Sequence, residues 1–249
     1  MDTAGHRSAQ PPGLGFEGLL QLIEPGQPVG QSYQSLMANL RLLKRQPLKT
    51  LVFTSTQPEE GKTTVMVGLA LAMARAHKRV LVVDADLRRP SIHRLLPVAN
   101  REGLDALLSG SAPQSELIQV VELPASSHGE GCELWVVTAG PPKNNPLYQA
   151  ARPEALAAAI TDLAKSFDLV LIDSPPILSV TDALLLAPLA DGVVLVLHTG
   201  AVAERDVLKA AQRIERVGGK LLGVVMNYFD ERLHGPSLLP YHAYYAANP

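Results

Sequence analysis

Apolar residues fall along the chain in short blocks, and the spacing inside each block points to its element. In residues 32–43, Tyr33, Leu36, Met37, Leu40 and Leu43 recur at helical spacing, and Pro47 closes that helix. A continuous apolar run at 48–54 reads as a buried strand. Residues 61–77 alternate small and aliphatic side chains without a breaker, as a helix does. Residues 79–83 form a second strand ending at Asp84. Short helices are expected at 104–108 and 115–121, a polar loop at 124–131 and a strand at 133–138. Residues 153–167 are an Ala-rich helix that opens on Pro153, where the missing N–H costs nothing. Strands at 168–172, 192–198 and 221–227 alternate with helices near 180–189 and 203–217, and Gly218-Gly219 stops the last helix. The alternation predicts an α/β fold: a doubly wound, mostly parallel sheet with helices on both faces.

Composition agrees. Of 249 residues, 47% are hydrophobic but only four are Phe and one is Trp, so the core rests on Val, Leu, Ile and Ala. That aliphatic bias suits strands buried on both faces. A net charge of −2 gives no electrostatic case for a nucleic-acid partner. The lone Cys132 supports neither a disulfide framework nor a metal cluster. Residues 1–29, rich in Gly, Pro and Gln, read as a flexible leader without the apolar core of a secretory signal. The charge-poor stretch 169–197 is interrupted by Asp173, Asp182 and Asp191 and by Pro175, Pro176 and Pro188, so it is not a membrane span. A main domain is expected over 30–232 with a tail at 233–249. The chain is expected to be cytosolic or peripheral.

The candidate chemistry sits where strands end. Residues 54–64, Thr-Ser-Thr-Gln-Pro-Glu-Glu-Gly-Lys-Thr-Thr, join the first sheet strand to the next helix, and backbone N–H groups at such a junction bind anions. Pro58, Glu59, Glu60, Gly61, Lys62, Thr63 and Thr64 are the expected nucleotide contacts. Lys62 supplies a point charge for the β and γ phosphates, and the Thr63 hydroxyl is placed to ligate Mg²⁺. The loop departs from the usual pattern, because Thr56 stands where the first glycine belongs. Two further strands end in carboxylates, at Asp84-Ala85-Asp86 and at Asp173-Ser174-Pro175-Pro176. The carboxyl ends of neighbouring strands meet at one crevice in an open sheet. Asp84, Asp86 and Asp173 are therefore expected beside Lys62 and Thr63, with Thr63, Asp84 and Asp173 available to Mg²⁺.

This ordered set resembles the bacterial tyrosine kinases of capsular and exopolysaccharide biosynthesis. Residues 58–63 match their Walker A, 84–88 their Walker A′ and 173–176 their Walker B; Ser32-Tyr33-Gln34-Ser35-Leu36 and Gly223-Val224-Val225-Met226-Asn227 add to the likeness. The resemblance implies a P-loop fold and ATP-dependent autophosphorylation of a C-terminal tyrosine cluster. Tyr241, Tyr244 and Tyr245, three of six tyrosines, lie in the last nine residues. It also implies that Asn227 contacts adenine and that Asp84 or Asp86 takes the acceptor's proton. The implied partners are a membrane-embedded chain-length regulator acting as activator and a cognate tyrosine phosphatase, which places the chain at the inner face of the plasma membrane.

Several positions depart from related patterns. The Glu-x-x-Arg-x-x-Arg of ring-forming members falls on Gln31, Gln34 and Met37, which removes those ion pairs from any homo-oligomer. Glu59 replaces a glycine frequent in the loop. Gln57 stands where partitioning ATPases of this fold carry a second lysine. The alternative reading is an ATP-binding adaptor or ATPase, partitioning-like or regulatory, that transfers no phosphate to tyrosine.

Overall fold

The computed structural model describes residues 15–43, 48–125, 131–142 and 153–229. Helices α1 (Phe16–Leu22) and α2 (Pro28–Leu42) precede strand β1 (Thr50–Ser55), helix α3 (Lys62–Arg75) and strand β2 (Val80–Asp84). Three short helices follow, α4 (Ile92–Leu95), α5 (Leu104–Ser109) and α6 (Gln114–Leu117), then strands β3 (Gln119–Leu123) and β4 (Cys132–Val137). Helix α7 (Pro153–Lys165), strand β5 (Leu169–Asp173) and helix α8 (Asp182–Leu186) lead into strand β6 (Gly192–His198). Helix α9 (Glu204–Arg216) and strand β7 (Leu221–Asn227) close the described chain.

The strands make one sheet in the order β3-β4-β2-β5-β1-β6-β7, parallel throughout except for β3. Successive side chains leave a strand on opposite faces. Leu51 and Phe53 of β1, Val80 and Val82 of β2, and Leu171 of β5 thus enter one core with α1, α2 and α3. Val52, Leu81, Val83, Val170 and Ile172 enter a second core with α7, α8 and α9. Both faces being covered, the central strands are buried at every position, with their polar residues at the strand ends. The register sets Asp84 of β2 opposite Asp173 of β5, and Asp173 opposite Phe53 of β1. All three strands therefore deliver their carboxyl ends to one level of the sheet.

Helix α3 lies deep in the first core, and Gly68 lets α2 approach it. A Cβ at Gly68 would sit 2.2 Å from the Tyr33 hydroxyl. Burial pushes Tyr33 up to about 12.

Two expectations from the sequence are corrected. The segment expected as a flexible leader carries α1, whose Leu19 and Leu20, with Ile23, are buried. Phe16, Leu19, Leu20 and Ile23 form a helical stripe, obscured by its Gly- and Pro-rich flanks. Glu24 then pins this segment to α3 through Arg75 at 2.6 Å. The helix expected over 115–121 ends at Leu117, and Gln119–Leu123 is the antiparallel edge strand. Val121 and Leu123 point inward while Val120 and Glu122 are exposed, a period of two that a helix cannot use. Among the described residues no helix is long and apolar enough to cross a membrane.

Candidate functional site

Beyond Ser55 the chain turns through residues 56–61 into α3. Gly61 takes a left-handed conformation (φ +82°), and a Cβ there would meet the Asn227 amide at 2.1 Å. Glu59 is also left-handed (φ +67°), a geometry that costs a residue with a side chain about 1–2 kcal/mol. This is where a glycine is frequent in the family resembled above. The buried Glu60 carboxylate accepts the Thr56 N–H at 3.1 Å, the Thr56 hydroxyl at 2.5 Å and the Gln57 N–H at 3.1 Å. Asn227 donates its side-chain N–H to the Glu60 carbonyl at 3.1 Å. Both residues thus brace the loop from behind. Neither side chain borders the cleft in front of it.

In that cleft the strand ends converge as expected. Lys62 Nζ lies 3.3 Å from Asp173 Oδ1 and 3.7 Å from Asp86 Oδ2, and it donates to Thr63 Oγ1 at 3.1 Å. The Thr63 hydroxyl donates to Asp173 Oδ2 at 2.6 Å and sits 3.0 Å from Ser91 Oγ. Asp84 faces the other way. Its Oδ2 accepts the N–H groups of Ser91 and Ile92 at 3.0 and 3.1 Å, and its Oδ1 accepts that of Asp86 at 3.2 Å. Asp86 in turn accepts the Arg89 N–H at 3.0 Å.

Burial and charge tune these groups against one another. Burial pushes Asp84 up to about 7, assisted by repulsion from Asp173, although two backbone N–H groups and Lys62 pull the other way. Burial likewise raises Asp173, with Lys62 and the Thr63 hydroxyl offsetting part of the effect. For Lys62, burial acts downward, but the carboxylates of Asp173, Asp86 and Asp84 outweigh it and hold the ammonium above its ordinary value. The cluster is poised for added positive charge.

Asp173 Oδ1 is buried, and its one polar contact among the described residues is the Lys62 ammonium at 3.3 Å. With the Thr63 hydroxyl, Asp173 supplies the hard oxygens Mg²⁺ favours. No cage of three His, Cys, Asp or Glu exists among the described residues, so Mg²⁺ would draw remaining ligands from phosphate oxygens and water. Of the three expected metal ligands, Asp84 has both oxygens engaged by backbone N–H groups.

The cleft measures about 820 Å³. Pro58, Glu59, Gly61, Lys62, Thr63 and Thr64 line one side, and Asp86, Arg88, Arg89, Ser91 and Arg94 another. Pro175, Pro176, Ser179 and Val180, just beyond β5, form a third wall. Arg88 is held by the buried Asp182 at 3.2 Å. Tyr228, left-handed at φ +55°, closes the cleft with its ring 4.3 Å from that of His198. Ser91, Asp182 and Tyr228 lie outside the motifs that drew attention to the site; the signal for Ser91 was its place seven residues after Asp84. Tyr241, Tyr244 and Tyr245 lie outside the described residues.

The fold agrees with comparisons to known proteins. Residues 49–233 match the ParA family, described as NUBPL iron-transfer P-loop NTPase. The chain is 32% identical over 211 residues to the tyrosine-protein kinase YwqD of Bacillus subtilis, covering 84% of this chain and 85% of that protein. The crystal structure of the chimerical protein CapA2B2 superposes with a TM-score of 0.75 at 32% identity, over 88% of this chain and 94% of that one. The kinase domain of the Escherichia coli tyrosine kinase Etk gives a TM-score of 0.74 at 26% identity, over 92% and 86% of the two chains.

Proposed function

The chain belongs to the bacterial tyrosine-protein kinases, within the ParA-type P-loop NTPases, and from that membership we propose how its residues transfer phosphate and to what. The observation that carries the proposal is the convergence of Lys62 with the carboxylates of Asp173 and Asp86, and of Asp84 behind them, at one open cleft.

Phosphoryl transfer asks a protein mainly for positioning and charge neutralisation. The backbone of residues 58–64 and the start of α3 hold the nucleotide's phosphates, and Lys62 binds the β and γ groups. Thr63 and Asp173 are the residues that would hold Mg²⁺, and the ion would supply positive charge to the phosphate oxygens. Asp86, on the cleft wall, is the carboxylate an incoming tyrosine hydroxyl meets, and it accepts the proton. Asp84 behind it accepts the Asp86 N–H, and because burial pushes it up to about 7, the charge next to Asp86 changes near neutral pH. The tyrosine oxygen–phosphorus bond forms as the β,γ bridge bond breaks, and ADP leaves with the bridging oxygen.

The acceptors in this proposal are Tyr241, Tyr244 and Tyr245, and the role served is control of polysaccharide polymerisation or export. A membrane-embedded chain-length regulator would recruit and activate the chain at the cytoplasmic face of the membrane, and a tyrosine phosphatase would reset it. Peptide mapping after incubation with ATP and Mg²⁺ and that activator is expected to find phosphate on Tyr241, Tyr244 or Tyr245. Release of free phosphate without phosphotyrosine would contradict this and favour the ATPase reading.

A further inference from the structure

Four basic side chains, Lys62, Arg88, Arg89 and Arg94, line the cleft. Lys62 is engaged by Asp173 and Asp86, and Arg88 by Asp182. Arg89 and Arg94 have no ion pair among the described residues, yet both border the cleft and both are exposed. Neither belongs to the nucleotide loop. They follow Asp86 on the segment that runs from β2 into α4, and the Arg89 backbone N–H is fixed to the Asp86 carboxylate at 3.0 Å. Both arginines therefore line the cleft on the same stretch of chain as Asp86, the carboxylate assigned above to the acceptor hydroxyl. Pro175, Pro176 and Val180 supply an apolar wall of the same cleft, suited to an aromatic ring. Paired arginines beside a flat apolar surface match an aryl phosphate, which carries nearly two negative charges and three strong acceptor oxygens.

We propose that Arg89 and Arg94 form an acceptor-side subsite for phosphotyrosine, so that a tyrosine already phosphorylated anchors its chain while a neighbouring tyrosine enters the cleft. The proposal rests on the kinase reading above. The tail sequence Tyr241-His242-Ala243-Tyr244-Tyr245 supplies adjacent and near-adjacent tyrosines for such priming. Its consequence is order: the first phosphate speeds the second. No chemistry is added to the transfer itself, because the anchoring phosphate is bound and released unchanged.

The test uses the full chain with Tyr241, Tyr244 and Tyr245 replaced by Phe, saturated with ADP and Mg²⁺ so that the nucleotide site is filled. Fluorescence anisotropy follows labelled peptides of residues 238–249 carrying phosphate on Tyr245 or none. The phosphorylated peptide is expected to bind at least about tenfold more tightly, and Arg89→Gln with Arg94→Gln is expected to abolish that preference while ADP affinity stays unchanged. Equal binding of the two peptides overturns the subsite, as does a preference that survives the double substitution. Loss of ADP affinity in the double variant also overturns it, since the arginines would then serve the nucleotide. A scrambled phosphopeptide distinguishes the source. Weaker binding than the tail peptide assigns the subsite to this chain's own tail, and equal binding assigns it to phosphotyrosine on any chain; either supports an aryl-phosphate site. If ADP itself fails to bind the unsubstituted chain, the nucleotide reading fails instead, and the two failures are distinct.

Discussion

At the scale of single residues, the site consists of charged groups in the cleft and of Glu60 and Asn227, which hold the loop behind it. Lys62, Thr63, Asp86 and Asp173 meet in the cleft because strand ends in a parallel sheet must lie level, a consequence visible in the order of the motifs. Glu60 was legible only as part of a nucleotide loop. Its inward turn satisfies the N–H groups of Thr56 and Gln57 and the Thr56 hydroxyl, the last of which a glycine at that position would not bring. Glu60→Ala is expected to lower stability by about 1–3 kcal/mol through those orphaned donors, read by denaturant unfolding. Lys62→Met is expected to weaken ATP binding roughly 10- to 100-fold by calorimetry, the scale of a lost hydrogen bond to a charged group. Because burial pushes Asp84 up to about 7, the rate of transfer should rise between pH 6 and pH 8 as the carboxyl group loses its proton. A flat profile across that range would show that the charge of Asp84 does not act on the transfer.

At the scale of elements, the central strands and α3 were readable because burial on both faces leaves long apolar runs. Two elements at the margins were not. Helix α1 has seven residues, too few for periodicity to stand out from its flanks, and tertiary packing rather than propensity holds it. Leu20→Ala should therefore cost about 2–4 kcal/mol in unfolding experiments, the range for a buried leucine, whereas a flexible leader would show no change. Strand β3 begins two residues after the short helix α6, so one helical pattern seemed to run through both. Only pairing with β4 makes its alternation decisive. Gly68→Ala tests the contact between α2 and α3, where the added methyl must displace the Tyr33 ring. It should destabilise by about 1–3 kcal/mol, as overpacking does.

For the whole molecule, the buried carboxylates couple the site to stability. The folded values of Asp84 and Asp173 both stand above their unfolded ones, so the stability they contribute is fully present below about 4 and falls as pH rises, for Asp84 through about 7. The Mg²⁺ ion of Mg·ADP would place positive charge beside these carboxylates, so the rise in Tm on adding Mg²⁺ with ADP should be larger at pH 8 than at pH 6. An equal rise at both would detach the cluster from nucleotide binding. The central claim is that this cleft transfers phosphate to tyrosine, and intact-mass spectrometry with ATP, Mg²⁺ and the activator tests it most directly. The account predicts phosphate-sized mass steps in the wild-type chain. Those steps should vanish in Lys62→Met and in the chain with Tyr241, Tyr244 and Tyr245 replaced by Phe. A wild-type chain that gains no mass, or steps that persist in Lys62→Met, would contradict it.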